Sequence, residues 1–134
     1  RFVAFGLPKG RGKRKLLATL HAYIERAFRE APNGDHFFVA QDPTGQPVGF
    51  LHLWIERDFL AGGRACHISN LAVADGYDSQ GIGRALLDFA QAWAKKHRCK
   101  LLTLSVFPGN ARARALYERN GFTDDLLRMA KSIK

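Results

Sequence analysis

A glycine-containing stretch lies near the middle of the sequence, Gln80-Gly81-Ile82-Gly83-Arg84-Ala85-Leu86-Leu87. It follows a predicted strand and opens a segment whose apolar residues recur at helical spacing to about His97. A glycine turn at such a junction leaves the first backbone N–H groups of the helix pointing outward, where the helix dipole favours an anion. The two glycines are equally compatible with a tight structural turn. Two named phosphate-binding motifs are excluded, because Leu86 stands where a dinucleotide fingerprint needs glycine and Ile82 where a P-loop needs lysine.

The segments on either side of this turn predict a mixed α/β fold. Three strands precede it, His36–Gln41, Val48–Glu56 and Arg64–Val73, and the short turn-rich links between them predict an antiparallel meander. After the helix, Leu101–Phe107 is a continuous apolar run of the kind that is buried on both faces of a sheet. A strand–helix–strand connection of this length predicts parallel pairing between Arg64–Val73 and Leu101–Val106.

Further elements are predicted toward the two ends of the chain. An apolar stripe at helical spacing predicts a helix over Lys15–Glu30. Asn110 is placed to cap a short helix, which Asn120 and Gly121 end. The tail Phe122–Lys134 alternates weakly and is a candidate for a final strand pair.

The composition indicates one globular domain over residues 1–134. Hydrophobic residues make up 46% and charged residues 25%, which excludes an intrinsically disordered chain. No apolar run reaches the roughly 18 residues of a membrane span, and the first residues lack the layout of a signal peptide. Cys66 and Cys99 have neither disulfide-framework nor metal-ligand spacing, so we expect reduced thiols, no metal and a cytoplasmic protein.

The charge balance is strongly basic. Lys plus Arg number 21 against 12 for Asp plus Glu, a net charge of +9. Such a surface attracts nucleic acid, anionic lipid or a phosphate-rich small ligand, and composition alone does not choose among them. Five cations fall within Lys9–Lys15, but this cluster lacks the interleaved aromatics that stack bases, which favours a solvated loop over a nucleic-acid patch.

Three segments together resemble the GNAT superfamily of N-acetyltransferases. They are Leu71-Ala72-Val73, the glycine stretch Gln80–Leu87, and Asn110-Ala111-Arg112-Ala113 followed by Leu116-Tyr117-Glu118-Arg119-Asn120-Gly121-Phe122. Their order and spacing are those of the family, and the third segment is far more specific than the glycines. The resemblance implies one N-acetyltransferase domain over residues 1–134, with a mixed central sheet flanked by helices. We expect this sequence to lack the first N-terminal elements of the family fold.

The resemblance also implies acetyl-CoA as cosubstrate. Its pyrophosphate would lie on the backbone amides of the glycine stretch, and its pantetheine arm would pair like an added strand with Leu71–Val73, where that strand diverges from Leu101–Phe107. Asn110 would hydrogen-bond the same arm. The expected cosubstrate contacts are Leu71, Ala72, Val73, Gln80, Gly81, Ile82, Gly83, Arg84, Ala85, Asn110 and Tyr117. One departure is Asp78, where the family usually carries Arg or Gln; a carboxylate there is electrostatically unfavourable for pyrophosphate.

Acetyl transfer to an amine needs an oxyanion donor, a proton for the departing thiolate and a base for the amine. Tyr117 matches the family tyrosine that protonates the thiolate, and the Val73 N–H would polarise the thioester carbonyl. His67 has a suitable pKa for a base acting through water. Strand alternation predicts one shared face for His67, Ser69, Leu71 and Val73. Many relatives carry Glu where this chain has Ser69.

Residues of the preceding strand are further candidates for the acceptor side. Glu56 and His52 are weaker candidates for the base, and Trp54 for lining the acceptor pocket. Each of these side chains, His67 and Tyr117 included, is also compatible with a packing role.

The function implied is transfer of an acetyl group from acetyl-CoA to a primary amine of a small molecule or a protein, by direct attack in a ternary complex. The chain is expected to act as a monomer or homodimer, without a membrane or nucleic-acid partner. Two alternatives stay open: a basic nucleic-acid-binding module, and a GNAT-fold acyl-CoA binder without catalysis. The acceptor is not identified by the sequence.

Overall fold

The computed structural model describes residues 2–4, 34–74, 76–77 and 80–133. The helix predicted over Lys15–Glu30, the cation cluster Lys9–Lys15 and Asp78 lie outside these residues. The elements are β1 (Phe2–Ala4), β2 (Asp35–Gln41), β3 (Pro47–Arg57), β4 (Arg64–Ala74), α1 (Ile82–Lys96), β5 (Leu101–Leu104) and α2 (Ala111–Arg119).

The predicted meander is confirmed. β2, β3 and β4 pair antiparallel in sequence order, while β5 lies parallel to β4 from Ala65↔Leu101 to Ile68↔Leu104. β1 and β5 both pair with the edge of β4 that lies away from β3. β1 runs antiparallel to β4 at its C-terminal end, from Ala4↔Ala72 to Phe2↔Ala74. The sheet is therefore mixed, and β4 pairs with three other strands, β1, β3 and β5.

The core lies between one face of this sheet and the two helices. α1 supplies Leu86, Leu87, Ala90 and Ala94, and β3 and β4 supply Leu51, Leu53, Cys66, Ile68, Leu71 and Val73. Gly49 allows α1 to approach closely, because a Cβ there would lie 3.1 Å from Ile82 Cγ2 and from Leu86 Cδ1. Burial raises the pKa of the Cys66 thiol to about 12, and both cysteines are free thiols.

A β-bulge in β4 overturns the predicted alternation of that strand. His52 pairs with Asn70 but the next residue, Leu53, pairs with Ile68, so Ser69 is the extra residue. The bulge resets the alternation, and Leu71 and Val73 point into the same core as Cys66 and Ile68. The prediction that His67 shares a face with Leu71 and Val73 is therefore wrong, since His67 lies on the opposite face.

The strand after α1 is shorter and less buried than predicted. β5 ends at Leu104, and Leu101 and Phe107 are 40% and 48% exposed. Burial on both faces requires cover on both faces, and in the described parts of the chain β5 is an edge strand ahead of Pro108. Because β5 stops, β4 and β5 part after the Ile68–Leu104 pair.

The C-terminal segment does not form the strand pair considered from the sequence. Residues 122–133 contain no strand, and their apolar side chains are largely exposed. The start of the segment is held against α2 instead, because Arg114 Nη2 donates to Asp124 Oδ1 at 3.1 Å. Among the described residues, no helix has the length and apolar character needed to cross a bilayer.

Candidate active site

The N-terminus of α1 is built to hold an anion. Gly81 is its N-cap in the left-handed conformation, with φ 77°, and no side chain caps the helix. The first internal hydrogen bond is donated by the Ala85 N–H to the Gly81 carbonyl at 2.9 Å, so the preceding amides have no helical acceptor. No acidic residue lies in the first turn, and the space where a Gly81 Cβ would project is open within 4 Å. Backbone amides and helix dipole together favour a phosphate here.

The side chains around this turn are mostly directed away from it. Gln80 is exposed, and its Nε2 reaches the Gly76 carbonyl at 3.5 Å. Ile82 packs toward Gly49 in the core, so it offers only its main chain to a ligand. Arg84 is 75% exposed and lies 3.9 Å from Asp88, which leaves its guanidinium at the surface beside the turn.

The edge of β4 that faces the turn is partly covered. Leu71, Ala72 and Val73 are all buried. β1 pairs with Ala72 and Val73, and the pairing of β5 ends at Ile68, so the two strands contact different stretches of this edge. A gap thus separates the two strands that share this edge.

α2 carries the two residues predicted from the third segment. Asn110 caps the helix, its Oδ1 accepting the Ala113 N–H at 3.1 Å, so its amide NH₂ points away from the helix end as a donor. Tyr117 is 6% exposed in the cluster that holds Leu71 and Val73, and its ring contacts Phe122 edge-on. Burial raises the pKa of Tyr117 to about 12, which keeps the phenol protonated at neutral pH.

His67 lies on the other face of β4, in a polar and aromatic setting. Its Nδ1 is 2.7 Å from Thr103 Oγ1 and 4.0 Å from Glu56 Oε1, and its ring stacks on Trp54 at 5.2 Å. Desolvation by burial lowers the pKa of His67 below its usual 6.5; the Glu56 carboxylate opposes this shift, and His52 adds to it.

The residues around His67 form one row across four strands. Asp35 pairs with Trp54, Trp54 with His67, and His67 with Thr103. His52, only 2% exposed, joins this row through a 2.7 Å hydrogen bond between its Nε2 and Asp35 Oδ1. We call these five side chains, together with Glu56 beside His67, the polar row.

Sequence reasoning named some members of the polar row and missed others. His67, Glu56, His52 and Trp54 were candidates, but Asp35 and Thr103 were not. Both missed residues belong to strands far away in the sequence, so only the pairing register reveals them. Trp54 Nε1 donates to Glu56 Oε2 at 3.1 Å, so it holds the carboxylate beside His67.

The two candidate catalytic side chains lie on opposite faces of β4. Tyr117 belongs to the core face with Leu71 and Val73, whereas His67 belongs to the face of the polar row. The pairing of β4 with β5 ends one residue beyond the His67–Thr103 pair.

Comparison with known proteins agrees with this geometry. The chain is 29% identical to the uncharacterized N-acetyltransferase YhfO of Bacillus subtilis over 93 residues, which are 69% of this chain and 62% of YhfO. It is 42% identical to the ribosomal protein bS18-alanine N-acetyltransferase of Escherichia coli over 59 residues, 44% of this chain and 40% of that protein. The matched region thus spans less than two thirds of these relatives.

A solved structure described as a putative acetyl transferase from Pyrococcus furiosus superposes with a TM-score of 0.78 at 25% identity. The superposition covers 95% of this chain and 84% of that one. The family model of the acetyltransferase (GNAT) family matches residues 10–122, which include the meander, the glycine stretch and α2. The chain therefore belongs to the acetyltransferase (GNAT) family.

Proposed function

We propose that this protein transfers an acetyl group from acetyl-CoA to a primary amine, by direct attack of the amine in a ternary complex. The observation that carries the proposal is the uncapped N-terminus of α1, with Gly81 in the left-handed conformation and open space beside it. GNAT enzymes use acetyl-CoA, and a pyrophosphate is the kind of anion that such a helix start binds.

The cosubstrate would be held by main-chain groups and a few side chains. The amides of Gln80–Arg84 would bind the pyrophosphate, whereas the Ala85 amide already donates to the Gly81 carbonyl, and the exposed Arg84 would add a cation beside it. Asn110 would donate its NH₂ group to the pantetheine arm while its Oδ1 caps α2. An arm that pairs with the main chain of Leu71–Val73 would take the place of β1 at Ala72 and Val73.

The thioester of acetyl-CoA supplies the carbonyl carbon that the amine attacks. In the proposed chemistry the Val73 N–H polarises the carbonyl oxygen, and Tyr117 gives its phenolic proton to the thiolate that leaves. The phenol carries the required proton throughout the neutral range, and the burial that raises its pKa to about 12 makes it a weaker acid than an exposed tyrosine. Tyr117 also lies on the core face with Leu71 and Val73, where the cosubstrate would bind.

His67 is the proposed base for the amine. An ammonium cannot attack, so a proton must leave it first, and an imidazole with a pKa below 6.5 is unprotonated and ready to accept a proton at neutral pH. The position of His67 one pair before the strands part supports this role. No carboxylate stands at Ser69, so the base on β4 would be the imidazole.

The acceptor class is a primary amine of a small molecule or a protein. The bS18 enzyme, by its name, acts on an alanine of a ribosomal protein, and this supports an amine acceptor without identifying it. The polar row, with Glu56 and Trp54 at its rim, is the proposed acceptor side.

The test is an acceptor screen that follows free thiol release from acetyl-CoA, with the acetylated product identified by mass spectrometry. Thiol release that requires an amine, with acetyl found on that amine, supports the proposal. Stabilisation by acetyl-CoA without amine-dependent release from a broad panel would instead indicate an acyl-CoA binder. Stabilisation at physiological salt by nucleic acid and not by acetyl-CoA would indicate a nucleic-acid-binding module.

A further inference from the structure

The two nitrogens of His67 have different surroundings. Nδ1 lies 2.7 Å from Thr103 Oγ1 and 4.0 Å from Glu56 Oε1. Within the described residues, Nε2 makes no hydrogen bond. A neutral imidazole carries its proton on one nitrogen only, and the partner of that nitrogen decides which one it is.

The Glu56 carboxylate is itself held in place. Trp54 Nε1 donates to Oε2 at 3.1 Å, which turns the other oxygen, Oε1, toward His67. The Trp54 ring also stacks on the imidazole and restricts its rotation. A negative charge on the Nδ1 side favours a proton on Nδ1, and Thr103 Oγ1 is able to accept a hydrogen bond from that N–H, although a hydroxyl could also donate to a bare Nδ1.

We propose that Glu56 and Thr103 are positioning residues that hold His67 in the Nδ1–H form, so that Nε2 is the atom that takes the proton from the acceptor amine. This inference rests on the proposed function and names the machinery of its base. Glu56 and Thr103 act through His67 and need not touch the substrate.

The proton balance is simple. The acceptor ammonium loses one proton, directly or through one water, to Nε2, and His67 becomes an imidazolium that still donates from Nδ1 to Thr103. The positive charge then lies 4.0 Å from the Glu56 carboxylate, which stabilises it. The amine that remains is neutral, and its lone pair forms the new C–N bond as the thioester C–S bond breaks. CoA leaves as the thiol with the proton from Tyr117, and the second proton of the amine nitrogen passes to the Tyr117 phenolate.

The charged and titratable groups that face His67 are few among the described residues. β3 contributes Glu56 and His52, and β2 contributes Asp35, which is already bonded to His52. β5 contributes only the neutral Thr103 hydroxyl. Glu56 is therefore the carboxylate that opposes the desolvation of His67, and its removal should lower the pKa of His67 further. Glu56 is 47% exposed, so solvent weakens its effect on His67.

The experiment is ¹⁵N NMR of the imidazole nitrogens in the full chain, with His67 assigned by comparison with His67→Gln. We expect a protonated Nδ1 and a bare Nε2 above the pKa of His67. Thr103→Val should shift the tautomer toward Nε2–H, whereas Thr103→Ser should retain Nδ1–H. Glu56→Gln should lower the titration midpoint, and Asp125→Asn, which removes an exposed carboxylate on the C-terminal segment, should leave it unchanged.

Once an acceptor is known, the acetyltransferase kinetics of the same variants provide a second test. Thr103→Val should reduce kcat/KM by about tenfold, because the general base contributes about 10²–10⁴ and is only partly disabled. Thr103→Ser should restore most of the rate. In Glu56→Gln the rising limb of the pH profile should move to lower pH together with the NMR midpoint.

The outcomes separate this inference from the proposed function. A His67 that carries its proton on Nε2 in the wild-type protein overturns the inference, even if the protein is an active acetyltransferase. A midpoint that Glu56→Gln leaves where it was also overturns the role of Glu56. A protein with no acetyltransferase activity but with the Nδ1–H form and the expected shifts would leave the positioning correct and contradict the proposed reaction.

Discussion

Adding one methyl group at the N-cap of α1 allows an effect on protein stability to be distinguished from an effect on ligand binding. Gly81 has φ 77° and open space where a Cβ would project. Gly81→Ala therefore meets no clash in the free protein, and its cost to folding is the left-handed conformation, about 1–2 kcal/mol. The added Cβ projects into the space through which a phosphate would approach the helix amides, so we expect acetyl-CoA to bind at least tenfold more weakly.

A matched control lies in the turn between β2 and β3. Gly45 has φ 87°, its Cβ position is also open, and it lies in a turn that supplies none of the proposed cosubstrate contacts. Gly45→Ala should cost the same 1–2 kcal/mol in free energy of unfolding. The two variants should therefore match in stability without ligand and differ only when acetyl-CoA is present.

The assay is urea unfolding with and without acetyl-CoA. A ligand at 100 times its Kd raises the free energy of unfolding by about 2.7 kcal/mol, and a tenfold weaker Kd reduces that increase by about 1.4 kcal/mol. We expect the full increase in the wild type and in Gly45→Ala, and a reduced increase in Gly81→Ala. If Gly81→Ala keeps the full increase, the phosphate does not lie on this turn and the site is misplaced.

Three further predictions follow from other parts of the site. Tyr117→Phe keeps the ring contact with Phe122 but removes the phenolic proton, so kcat should fall by about 10²–10⁴ with little change in acetyl-CoA affinity. An unchanged kcat in a chemistry-limited assay would leave Tyr117 as a packing residue. The value of kcat/KM should rise with pH through an ionisation below 6.5, because the base works unprotonated and burial lowers the pKa of His67. His67→Gln should abolish this rise in the pH profile. A rise that persists in the variant and follows the pKa of the acceptor amine would contradict the assignment. Gly49→Ala should lower the free energy of unfolding in urea by about 1–3 kcal/mol, since the new Cβ would lie 3.1 Å from the Ile82 and Leu86 side chains. A stability equal to or greater than that of the wild type would show that α1 moves to accommodate the methyl group.

The parts of the fold that depend on nearby residues were predictable from the sequence. The limits of α1, its glycine start and the Asn110 cap follow from short-range patterns, and each is confirmed. The meander and the parallel pairing of β5 follow from element order and link length.

The parts that were wrong depend on contacts between distant residues. The bulge at Ser69 depends on the pairing register between β3 and β4, which short-range patterns do not give. The apolar residues of Leu101–Phe107 likewise do not reveal that β5 is an edge strand. The same reason explains the site. His67 was identified from its residue type, but Thr103 and Asp35 enter only through pairing across the sheet. The roles of His67, Tyr117 and the glycine stretch stay predictions.

The extra residue at Ser69 has a consequence for how this sequence can change over time. With strict alternation, His67 would share the face of Leu71 and Val73, and an imidazole would stand in the apolar core beneath α1. A substitution at position 69 keeps the number of residues in β4, so the side chains before and after the bulge still point to the same faces of the sheet. Deletion of one residue there would turn one half of the strand over, exchanging core for polar side chains. Both halves of β4 supply core residues, Cys66 and Ile68 before the bulge and Leu71 and Val73 after it, so the number of residues around Ser69 is more constrained than the residue type at position 69.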